Sequence, residues 1–186
     1  MEDTLPVQKS FVNHALKNGS ILAIIGILLT LSIYLIDVSW FASLWLILII
    51  LITNISYTTI VGINYRKEIG GYLSFKNAFI YAALVLFSAM AISRIFSLIL
   101  FNVVDPQVSQ IVTDASVEKW TALMEGWNTP QEKIDEAIDK MKIDIPKSFS
   151  PIGILISIFW PGLVFIAIAA AISGGIVKKN QPELMS

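Results

Sequence analysis

The chain contains no cysteine, which excludes disulfides and thiolate metal sites. It has one histidine, His14, too few for a zinc site built on imidazoles. Charge is scarce: only 15% of residues are Asp, Glu, Lys or Arg, and they sum to −1. A balance so close to zero produces no field that would draw nucleic acid. Gly70-Gly71 lacks the spacing and the strand context of a phosphate-binding loop. No nucleophile–base arrangement and no compact calcium loop can be picked out. These absences point to a non-enzymatic role with no cofactor and no metal ion.

What the chain has in quantity is apolar side chain. Hydrophobic residues make up 55% and the mean hydropathy is +0.73, above the roughly 45–50% of soluble domains. The excess lies in four blocks. The expected fold is an all-α integral membrane protein with four transmembrane helices and an external amphipathic helical hairpin between the third and fourth. Residues 1–19 form a cytoplasmic N-terminal segment, in which Phe11, Val12, Ala15 and Leu16 have the spacing of a short interfacial helix. His14 lies there and is expected at headgroup level, exposed. Residues 20–104 hold helices one to three, 105–150 the acidic hairpin, 151–177 helix four, and 178–186 a cytoplasmic tail.

The third block is the organising one. From Ala78 to Val104 it holds a single charge, Arg94. As a helix it is about 40 Å long, more than the ~30 Å of a bilayer core. Arg94 then sits about one turn inside the far interface. Two readings are open. The long side chain can reach the headgroups, or it can hold a buried partner: Asp37, Asp105 or a lipid phosphate.

Other polar and small residues suggest how the helices meet. Gly26 and Thr30 are four apart, a spacing that permits close helix approach. Asn54 lies inside the second span and is expected at an interhelical hydrogen bond. Ala167, Ala171 and Gly175 repeat every four residues, beside Ala169-Ser173 and Ala170-Gly174, and are expected to pack against the other spans. The short link Asp37-Val38-Ser39 makes spans one and two antiparallel neighbours, the second starting near Trp40. Trp160-Pro161-Gly162 is expected to bend the fourth.

In the polar segment, Asp105-Pro106 and Ser150-Pro151 read as a cap followed by proline. Thr129-Pro130-Gln131-Glu132 reads as a capping box. Val108, Ile111, Val112 and Ala115 make one apolar stripe and Ile134, Ala137, Ile138 and Met141 another. The acids between them, such as Glu132, Asp135, Glu136 and Asp139, occupy the solvated faces.

Four spans put both termini on one side. That side carries seven basic residues and the other five, all in one long loop. The short links are sharper: the first has no basic residue, the second has Arg66, Lys67 and Lys76. The positive-inside rule therefore places both termini in the cytoplasm.

The run Tyr65-Arg66-Lys67, then Gly71-Tyr72-Leu73-Ser74-Phe75-Lys76-Asn77-Ala78-Phe79, resembles a small bacterial membrane family. So do Asp105-Pro106, the helix from Thr129 to Met141, and Lys178-Lys179. The family is known as domain of unknown function four-one-nine-nine. The resemblance covers nearly the whole chain and implies a four-helix inner-membrane protein with an external helical loop. It implies no catalytic residues. The family's Asn-Pro at the end of the third span is Asp105-Pro106 here, so that position receives no specific role.

Three functions are weighed. The leading one is a membrane subunit or scaffold that binds a protein partner, or a second copy, through helix faces and the hairpin. The second is lipid-phosphate handling at the outer leaflet, centred on Arg94 with Asp37 and Asp105. The third is an oligomeric transporter or channel. Membrane lipids are partners in each.

Overall fold

Backbone amides in hydrocarbon must pair within their own segment, so apolar runs of this length can only cross as helices. The computed structural model describes residues 4–180, and among these four helices are long and apolar enough to cross a membrane. They cover Ser10–Ile36, Leu44–Glu68, Phe75–Val104 and Pro151–Val177. The protein is an all-α, multi-pass membrane protein. Residues 1–3 of the expected N-terminal segment and 181–186 of the expected tail lie outside the described residues.

Helix α1 runs unbroken from Thr4 to Ile36. The expected separation into an interfacial helix and a span beginning at Ser20 is not found, because no glycine or proline stands between Thr4 and Asn18 to break the pattern except Pro6 in the first turn, where proline is tolerated. The link to the second span is longer than three residues. Asp37 caps a 3₁₀ turn, Val38–Ala42, and α2 begins only at Leu44 and ends at Glu68. Gly70 and Gly71, with φ of +100° and +88°, make the turn to α3, Phe75–Ile99. Helix α3 continues through a widened π turn, Leu100–Val104.

Two further helices follow, α4 (Val108–Gly126) and α5 (Gln131–Phe149), packed together as a hairpin. The Asp105 carboxylate accepts from the Gln107 amide at 3.1 Å, as a cap does. Thr129 does not act as the expected cap: extended Pro130 (ψ 138°) occupies the N-cap position, which starts α5 one residue later. Ser150 does cap, accepting from the Gly153 amide at 3.1 Å, with Pro151 next. The fourth span breaks outright at Trp160–Pro161 into α6 (Pro151–Phe159) and α7 (Gly162–Val177).

Helix α3 is the centre, packed on α1 and α7 and more lightly on α2 and α6. The close approaches use small residues. A Cβ at Gly174 would stand 3.0 Å from the Phe79 backbone nitrogen, and one at Gly19 only 2.6 Å from the Val85 carbonyl oxygen. Leu73 and Lys179 exchange backbone hydrogen bonds of 2.9 and 2.8 Å, tying the end of α7 to the α2–α3 turn. The hairpin lies on the 3₁₀ link at the other end, where Lys119 donates to the Ser39 carbonyl at 3.0 Å.

Candidate functional site

Helix α2 is packed along only half its length. Its buried residues, Thr58, Val61, Gly62 and Tyr65, all lie toward the end that meets α7. The half nearer the hairpin has no buried residue, and Ile47 and Ile50 remain exposed. The gap is a cavity of about 400 Å³ walled by α1, α2, α3 and α6, with the hairpin's end above it. Its polar lining is Arg94, Thr30, Ser97, Ser148 and Ser157. Its apolar lining includes Ile47, Ile50 and Ile154, and three rings, Phe41, Phe101 and Phe149. The rings pack edge-on, at 5.7 Å for Phe41–Phe101 and 5.2 Å for Phe101–Phe149.

The serines are not idle but are adaptable. Ser97 donates to the Ser93 carbonyl at 3.0 Å, Ser157 to that of Ile154 at 2.7 Å, and Ser148 to that of Ile145 at 2.7 Å. Each keeps its oxygen lone pairs, and each hydroxyl can rotate toward a ligand. Arg94 has neither a hydrogen bond nor an ion pair among the described residues. A guanidinium at membrane depth costs about 3 kcal/mol or more unless it is paired or reaches water. Five N–H donors facing a mostly apolar cavity form a receptor for an anion. No carboxylate or imidazole lines the space, so it does not suit a metal ion.

Asp37 and Asp105 are not brought to Arg94. Asp37 accepts from the Ser39 amide at 2.8 Å in the link. That backbone hydrogen bond, with a smaller contribution from the Lys119 charge, lowers its pKa below the ordinary carboxylate value. Asp105 accepts from the Tyr34 hydroxyl at 3.2 Å. Both carboxylates hold backbone and side-chain donors of the hairpin end.

The expected packing residues divide. A Cβ on Gly26 would be 3.5 Å from the Ser93 hydroxyl, an ordinary contact with α3, and Thr30 lines the cavity. Asn54 does not bridge helices; it donates to the Ile50 carbonyl of its own helix at 2.7 Å, a local bond a short carboxamide makes easily. Ala167, Ala171 and Gly175 face outward, correcting their expected inward packing. The neighbouring Ala169, Ala170, Ser173 and Gly174 are the buried ones.

One cluster escaped the sequence. His14 is partly buried, not exposed at headgroup level, because Tyr65 and Tyr81 close over it. Its Nδ1 lies 2.8 Å from the Tyr81 hydroxyl and 3.2 Å from the Asn18 amide nitrogen. Two donors on Nδ1 put the ring proton on Nε2, which faces Glu68 at 3.6 Å. Tyr57 donates to the Asn18 side-chain Oδ1 at 3.4 Å. Tyr65 and Tyr81 stack at 4.9 Å, and Phe11 packs edge-on against both. All these positions lie near the same end of their spans, and that shared depth was the available signal. Its centre, Tyr81, is 1% exposed, so the cluster joins helices.

A family described as protein of unknown function (DUF4199) matches residues 17–179. No curated protein and no solved structure matches the chain.

Proposed function

We propose, of a chain that belongs to the family of unknown function DUF4199, that it is an inner-membrane protein holding the anionic headgroup of a lipid in the Arg94 cleft. The observation that carries this is a guanidinium with no partner among the described residues, in a space of about 400 Å³ walled mostly by rings and aliphatic chains with four hydroxyls among them. A lipid has that same division. The exposed half of α2 leaves the cleft open sideways, the route by which a lipid would enter.

Native mass spectrometry from mild detergent is the test. The wild-type protein should retain an anionic phospholipid. Arg94→Leu should lose it while remaining folded, since removing an uncompensated buried charge is often neutral or stabilising. Retention by Arg94→Leu at the wild-type level removes the reading.

The hairpin then lies outside the cytoplasm, with the cleft in the outer leaflet. Support comes from the link containing Arg66, Lys67 and Lys76, against a first link with no basic residue. A cysteine placed at Ser109 or Gln131 should react with an impermeant maleimide in intact cells. Reaction only after the inner membrane is broken reverses the orientation.

The subunit reading keeps one supporting feature. Ala167, Ala171 and Gly175 form an exposed ladder along α7, the kind of face on which a second transmembrane helix can pack closely.

A further inference from the structure

Resting on the lipid reading above, we propose a narrower ligand: a phosphodiester lipid of single negative charge with a neutral, hydroxyl-bearing headgroup. The argument is charge and valence matching. Among the described residues, Arg94 is the one ionisable residue in the cavity lining. A single positive charge in a space walled by Phe41, Phe101, Phe149 and isoleucines is neutralised by a single negative one. A second negative charge would be left without a counter-charge where water is sparse, the situation that makes buried ions costly.

Valence agrees. A guanidinium offers two parallel N–H donors to two oxygens of one group. A phosphodiester has two unesterified oxygens, which this fork satisfies. A monoester has a third and, when fully ionised, a second charge, and the cleft provides no second cation. The remaining polar groups are the hydroxyls of Thr30, Ser97, Ser148 and Ser157, suited to ester oxygens and to a polyol. An ammonium-bearing headgroup would find no carboxylate in the lining, because Asp37 and Asp105 are held elsewhere. Phosphatidylglycerol has this chemistry; phosphatidic acid and polyprenyl pyrophosphate do not.

The test is competition between phosphatidylglycerol and phosphatidic acid for the wild-type protein in mixed micelles, read by native mass spectrometry. The second ionisation of a phosphate monoester falls near pH 6, so phosphatidic acid is dianionic at about pH 8 and monoanionic at about pH 5. At the higher pH phosphatidylglycerol should win by about tenfold. At the lower pH the preference should shrink severalfold, as phosphatidic acid gains a proton and becomes a single anion. Arg94→Lys, which keeps the charge without the fork, should bind both lipids more weakly and discriminate less.

The outcomes separate the two claims. If phosphatidic acid binds as well as or better than phosphatidylglycerol at the higher pH, and Arg94→Leu abolishes both, the single-charge inference is wrong and the lipid reading stands. If no lipid depends on Arg94, both are wrong. Displacement of the bound lipid by millimolar inorganic phosphate would make this a site for a free anion, and would also overturn the inference.

Discussion

Tyr81→Ala should be the most damaging single substitution at the end of the bundle opposite the hairpin, costing about 3–5 kcal/mol, the range for deleting a buried aromatic ring. The ring is 1% exposed and is the largest fully buried side chain. It stacks on Tyr65 at 4.9 Å and meets Phe11 edge-on at 5.7 Å, so its removal leaves a hole bordered by three helices. Tyr81→Phe keeps the ring and removes only the hydroxyl bonded to His14 Nδ1. That loss should be about 1 kcal/mol, since polar bonds between transmembrane helices average less than their soluble counterparts and Asn18 still donates to the same nitrogen. Thermal unfolding in detergent, followed by intrinsic fluorescence, compares the two. Equal mildness of both would mean that the ring stack is not what holds α1, α2 and α3 together there.

Gly19→Ala and Gly26→Ala should have opposite signs, though both glycines lie on α1. A Cβ at Gly19 would overlap the Ser88 hydroxyl and stand 2.6 Å from the Val85 carbonyl oxygen. The hydroxyl can turn away; the carbonyl belongs to the α3 backbone and cannot. Forcing the helices apart should cost about 1–3 kcal/mol, or about 2–12 °C in the apparent Tm. At Gly26 the added methyl meets only the Ser93 hydroxyl, at 3.5 Å. There alanine's better helix propensity should dominate, a gain of about 0.5–1 kcal/mol. The same melting experiment reads both, and a Gly19→Ala protein as stable as wild type would show that α1 does not sit this close to α3.

The pair also shows what could be read in the sequence. The four spans, the cap at Ser150 and an interruption at Trp160–Gly162, expected as a bend and found as a break, were all legible. Each follows from local composition and from the need of backbone amides in hydrocarbon to pair within their own segment. The facing of the helices was not legible. In lipid an apolar side chain gains little by turning inward, so hydrophobicity does not mark the buried face. Gly19 belongs to the buried row Ala15-Gly19-Ala23, which straddles the polar N-terminal segment and the first apolar block, while Gly26 and Thr30 lie wholly inside that block. On α7 three small-residue rows run side by side, and the row chosen from the sequence, Ala167-Ala171-Gly175, was the outward one. The candidate site was half legible. Arg94 stood out as the lone charge of its span, but its lack of a partner among the described residues depended on where the hairpin and the 3₁₀ link take Asp105 and Asp37. The His14 cluster depended on three helices arriving at one depth, which no single segment records.

The widened turn at Leu100–Val104 also bears on permissible chain length. A π turn is what a helix makes of one inserted residue, absorbed locally without rotating the residues on either side. Excising a single residue from that turn should regularise the winding and still deliver Asp105 and the hairpin to the same rim. The same excision a few turns earlier would rotate Arg94 out of its cleft. Tolerance to shortening should therefore be concentrated in those five positions.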